Sequence, residues 1–75
     1  NVYTDYSALV EDAQEPEVLI NKLDLLLTHG TLSNETRAII KQAIEPYQGG
    51  MNQRMNRIHL AAYLIMISPD YVILK

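Results

Sequence analysis

Eight consecutive apolar residues, 60–67 (LAAYLIMI), run directly into Ser68-Pro69-Asp70-Tyr71. A run of this kind, preceded by an amphipathic stretch, predicts a helix that is apolar all round in its second half. That pattern marks burial on several sides, as expected of the central helix of a small bundle. Eight residues fall far short of the roughly 20 needed to cross a bilayer, so no membrane span is expected. Ser68 and Pro69 suit the cap and first position of a new short turn, which would aim Tyr71 back over the bundle. Because the aromatics are five tyrosines with no Trp or Phe, the core must be built from Leu, Ile, Val, Met and Ala.

Length allows a single domain, 1–75. A chain this short buries only about 60% of the surface its unfolded form exposes, so its core is marginal. Cysteine is absent, which removes disulfides and zinc-binding thiolates. Nine acids against six bases give a net charge of -3. That balance offers no footprint for a phosphate backbone, and no nucleic-acid partner is expected. The start at Asn1 rather than Met is read as trimming from a longer protein.

Four helices are expected. The first, weak one covers about 5–13, with Asp5 as N-cap and Tyr6, Leu9, Val10 and Ala13 at helical spacing, and stops before Pro16. The second opens with Pro16 in its first turn and carries a stripe of Leu19, Leu23, Leu26 and Leu27, with Asn21, Asp24 and Thr28 on the opposite polar face. Gly30 is placed as its left-handed terminator. Ser33 caps the third, whose stripe is Ile39, Ile40, Ala43, Ile44 and Tyr47, with Arg37 and Lys41 facing water; Pro46 should end it near 43–45. Gln48-Gly49-Gly50 breaks the chain before the fourth, from 51 or 52 to 67, where Met55 and Ile58 point inward and Arg54 and Arg57 outward. The fold expected is an all-α bundle of about four helices with the fourth at its centre.

Few residues suggest chemistry. His29 and His59 lack metal-ligand spacing and are read as a helix-end histidine and a surface or half-buried one. Asn21, Asp24 and Thr28 read as a solvated face, and Arg54 and Arg57 as solvated or paired with local acids. The sharper alternative is that Asn21, Asp24, Arg54 and Arg57 line a seam, with the arginines gripping a phosphate or carboxylate. Met51 and Met55 flank the glycine loop and are candidate docking residues, while Met66 is assigned to the core. No nucleophile-base pair, phosphate-cradling loop or cofactor fingerprint is present, and neither catalytic residues, a metal nor a cofactor is expected.

Three stretches together resemble a known family. They are 19–30 (LINKLDLLLTHG), 31–38 (TLSNETRA) and 57–71 (RIHLAAYLIMISPDY). Their order, a leucine-rich helix, a glycine turn, a Ser-x-x-Thr-Arg helix start and an Ala-x-Tyr-Leu run ending in Ser-Pro-Asp-Tyr, resembles the extreme C-terminus of the bacterial family catalogued as domain of unknown function 1800. The likeness covers the chain from about Leu9 onward, and the join of Ala62-Tyr63-Leu64 to Ser68-Pro69-Asp70-Tyr71 is its most specific part. It departs from the family at 45–56, which is shorter here. The resemblance implies a C-terminal helical module of a larger, exported (periplasmic or secreted) protein and supplies no catalytic residues.

The function expected is therefore that of a structural or interaction module, its partner the rest of a parent chain or a second copy of itself. The alternative is a module that contributes one wall of an enzyme or ligand site in the parent.

Overall fold

Pro16 decides where regular structure begins. It forces Glu15 into an extended conformation (φ -114°, ψ 107°) and then occupies the first turn of α1, Pro16–Thr28, where its missing N–H costs nothing. The computed structural model describes residues 9–71. Among these are three α-helices, not four: α1, α2 (Asn34–Ile44) and α3 (Met51–Met66). The expected first helix lies partly outside the described residues. Its described part includes a 3-10 turn, Asp12–Gln14, which buries Ala13, and Leu9 before it is buried as well. Pro16 closes this turn off from α1, because the residue before a proline is pushed out of the α region.

α1 ends as a left-handed cap, one residue earlier than expected. His29 itself adopts φ 57°, ψ 33°, and Gly30 follows at φ 83°. The N–H of Gly30 returns to the Asp24 carbonyl at 3.2 Å, a closure that satisfies a free helix-end carbonyl. Histidine is among the side chains that tolerate this region. Ser33 caps α2 as expected, its Oγ accepting from the Thr36 N–H at 3.2 Å. Pro46 stops α2 at Ile44.

Every helix packs on the other two, and the 3-10 turn packs on α1 and α3. The expected central helix is thus an equal partner in a three-helix arrangement. Its inward stripe is Ile58, Ala61, Ala62 and Ile65, while Tyr63, Met66 and Ile67 are exposed, overturning all-round burial and the core role of Met66. With two helices and one short turn packed against it, α3 is covered on its inward side only. α1 supplies Leu19, Ile20 and Leu23 to the core but leaves Leu25 and Leu26 exposed; α2 supplies Ile40 and Ile44 but not Ile39.

The turn after α3 is fixed by polar contacts. Ser68 Oγ donates to the Ile65 carbonyl at 2.6 Å, so it closes α3 rather than opening a new helix. Asp70 Oδ2 accepts from the N–H of Ser33 at 3.2 Å and from its hydroxyl at 3.0 Å. This clasp ties the chain after α3 to the start of α2 and seats Tyr71 against the core.

Ile58 and Ile67 provide a matched test of the core. Ile58→Ala should cost about 2–5 kcal/mol, and exposed Ile67→Ala no more than about 0.5, by urea unfolding. The Asp70 clasp predicts a pH dependence. Hydrogen bonds from Thr36 and from the N–H and hydroxyl of Ser33 hold the Asp70 carboxyl below its ordinary value. A depressed carboxylate contributes stability that is fully present above the unfolded value near pH 4 and is lost as pH falls through the lower native value. Asp70→Asn should lower stability at neutral pH and flatten the acid limb of a stability-pH profile below about pH 4.

Candidate functional site

Where Pro46 ends α2, carbonyls are left without helical donors. Arg57, one turn into the buried stripe of α3, fills that gap. Its Nε donates to the Ile44 carbonyl at 2.9 Å and its Nη2 to the Glu45 carbonyl at 2.9 Å. Its Nη1 donates to the Ala13 carbonyl at 2.8 Å and the Gln14 carbonyl at 3.2 Å. The residue is only 5% exposed. Arg57 was expected to face water, but it is a buried fork joining the end of α2, the 3-10 turn and α3. Burying a cation is costly, and four charge-assisted bonds to carbonyls offset that cost. The negative end of the α2 dipole adds to it.

Arg54, one turn earlier, is half-buried rather than outward-facing. The Gln14 amide, with its oxygen turned to Arg54, accepts from Nη1 at 3.1 Å and Nη2 at 2.9 Å. Arg54 Nε is buried and has no acceptor. Both arginines line an open cavity of about 730 Å³ between Ala13, Gln14, Glu15 and Pro16 on one side and Glu45, Pro46, Tyr47, Gln48 and Gly49 on the other.

A second network forms at the opposite end of α1. Asp24 and Thr28, expected on a solvated face, are 7% and 6% exposed. Asp24 Oδ1 accepts from the Thr28 hydroxyl and from the Leu32 N–H at 3.1 Å. Its Oδ2 lies 3.4 Å from Nη1 of Arg37, and Nη2 of Arg37 donates to Asn21. Asp24 therefore holds together the turn between α1 and α2. Arg37 was also expected to face water.

The four proposed seam residues thus fall into two networks. Asn21 and Asp24 share Arg37 near the end of α1, while Arg54 and Arg57 share the wall of the cavity that Pro16 lines at its start. Met51 is exposed, and Met55 is half-buried against the core. His59 lines a shallow groove with Tyr47, Asn56, Leu60 and Tyr63, and His29 is exposed at the α1 cap. Among the described residues, no three His, Cys, Asp or Glu side chains are grouped to hold a metal, and no helix is long and apolar enough to cross a membrane.

Two signals for these roles were present in the sequence. Arg54, Arg57, Ile58, Ala61 and Ile65 recur at three- and four-residue spacing, which puts the arginines on the buried stripe. A short α1–α2 connection also folds the end of α1 against the start of α2, facing Asp24 toward Arg37. Comparison with protein-family models, curated proteins and solved structures gives no match.

Removing the fork should expose its importance. Arg57→Met leaves several carbonyls unpaired at once and is expected to cost about 3–5 kcal/mol, a large share of the roughly 4–11 kcal/mol available to 75 residues. Arg57→Lys, which keeps the charge but loses the planar fork, should recover only a minor part. Urea titration followed by circular dichroism reads both; a loss under about 1 kcal/mol for Arg57→Met would remove the structural role.

Proposed function

We propose that this chain is a helical interaction module with no chemistry of its own, seated in life against the rest of a longer bacterial protein. The observation that carries this reading is where its side chains go. Among the described residues, the buried charged and polar groups, Asp24, Thr28 and Arg57, are engaged in joining elements of the chain to one another. Large apolar side chains are meanwhile left outside: Leu25, Leu26, Ile39, Tyr63 and Ile67 are each 57–65% exposed. Exposed apolar side chains on several helices are the pattern of a domain that docks.

The resemblance to the C-terminus of the domain of unknown function 1800 family supports the same reading. Its most specific part joins Ala62-Tyr63-Leu64 to Ser68-Pro69-Asp70-Tyr71, where Ser68 closes α3 and Asp70 ties the chain to Ser33, contacts that support an architectural role. In that setting the parent is exported and the module forms its last helices. The rival reading, one wall of an active or ligand site in the parent, rests on Asn21, Asp24, Arg54 and Arg57; all four are engaged by partners within the chain, Arg54 through Gln14, although its buried Nε has no acceptor.

Docking predicts that the isolated chain self-associates as concentration rises, with a second copy covering the apolar residues. A Leu26→Ser/Ile39→Ser/Ile67→Ser variant should stay folded, lose that association in sedimentation experiments, and fail to bind the remainder of the parent supplied in trans. A wild-type chain that stays monomeric throughout and ignores the remainder of its parent would end this reading.

A further inference from the structure

α3 carries two lines of side chains on opposite sides. The inward line is Ile58, Ala61, Ala62 and Ile65. On the other side Asn56, Leu60, Tyr63 and Ile67 follow at the alternating four- and three-residue spacing of a helix-pairing seam. Ile67 is the C-cap of α3 and keeps a right-handed conformation (φ -93°, ψ -1°), so it extends this outer line. Tyr63 and Ile67 are exposed, and so is Met66 beside them.

This outer face has relief. Tyr47, from the segment after α2, stands with Asn56, His59, Leu60 and Tyr63 around a shallow groove of about 380 Å³. Ile67 projects from the same face seven residues beyond Leu60, roughly 10 Å along the axis. The hollow and the knob are therefore too far apart to meet within one chain. Neither carries Asp, Glu, Lys or Arg. From 51 to 67 the charged residues are Arg54 and Arg57, one half-buried and the other buried. A net charge of -3 opposes the approach of two copies in general, but a face without charge adds no like-charge contact of its own. A hollow and an apolar knob on one such face are self-complementary across a two-fold axis, where knob meets hollow twice.

We propose that two copies of this chain pair through the outer face of α3, antiparallel, with Ile67 of each seated in the groove of the other. The proposal rests on the docking reading above and names its surface and its occupant. With Ile67 set opposite 59–60, the axis passes beside Tyr63, and the two Tyr63 rings meet there, a contact that aromatic pairs favour.

The test is sedimentation equilibrium of the whole chain up to about 1 mM, with circular dichroism to confirm that each variant is folded. The wild-type chain should dimerise. Ile67→Glu, at an exposed position, should raise the dissociation constant at least about tenfold by placing a charge in the groove. Leu25→Glu, on the exposed side of α1, should leave it unchanged. Adding Asn56→Lys to Ile67→Glu should restore pairing, because the new base of one copy then faces the new acid of the other. The two positions are eleven residues apart, roughly 16 Å, so they cannot pair within a chain. A parallel dimer would instead set like against like, and the double variant would dissociate further. Since the chain has no cysteine, Tyr63→Cys alone should oxidise to a covalent dimer. A dimer that survives Ile67→Glu, dissolves with Leu25→Glu, or is not restored by the double variant overturns this pairing while leaving docking intact. A wild-type chain that stays monomeric overturns it too, and binding to the remainder of the parent then decides the broader reading separately.

Discussion

Arg57 is the contact on which the rest of this fold depends. A proline at position 46 is an efficient way to stop a helix, but it leaves carbonyls behind in a part of the chain that must be covered. The 3-10 turn, closed off by Pro16, ends with carbonyls of its own. A single guanidinium reaches both sets because its donors radiate in one plane from the end of a long stem. Lysine has the charge but not the fork, and a neutral amide has too few donors. The solution also fixes geometry: α3 can satisfy Arg57 only if the end of α2 and the turn before α1 meet at the same point.

The same device recurs at the other joins. Asp24 gathers the hydroxyl of Thr28, the N–H of Leu32 and the guanidinium of Arg37, and so sets the α1–α2 corner. Asp70 gathers the N–H and hydroxyl of Ser33 and so returns the chain after α3 to the start of α2. Each join is made by one side chain bonding to backbone groups near a helix end. A small domain without disulfide or metal needs such staples, because its core alone is marginal. Because each staple joins two elements, loss of one should loosen both together, which favours all-or-none unfolding.

Much of this was legible in the residues, and what was not has a physical cause. The helix limits set by Pro16, Ser33, Pro46 and Gly50 follow from local backbone chemistry, which acts within a turn of its source, so they emerged nearly where expected. The inward choice among apolar residues did not. Leu19 and Leu26, or Ile40 and Ile39, are equal in hydropathy; only the number of neighbours decides which are covered. Expecting a fourth helix put Met66 and Tyr63 inside, and having three leaves them out. The polar misreadings share another cause. Arg57, Arg37 and Asp24 look like surface residues because charge is costly to bury alone, and their partners are carbonyls and N–H groups that carry no mark in a sequence.

That last point bears on how the chemistry of such a chain is to be recognised. A catalytic group and a structural staple are both buried, charged and hydrogen-bonded, so burial of charge alone does not separate them. Completion does. Arg57 faces four carbonyls, Asp24 three donors on its carboxylate and Asp70 those of Ser33 and Thr36, and each of those partners belongs to the chain itself. A group satisfied in this way would have to break the fold to act on anything else. Arg54 differs because its Nη atoms are held by the Gln14 side chain rather than by backbone carbonyls, while its buried Nε has no acceptor. Two arginines one helical turn apart, alike in sequence, are thus divided by their surroundings, one closing the fold and the other left with a bond still to make.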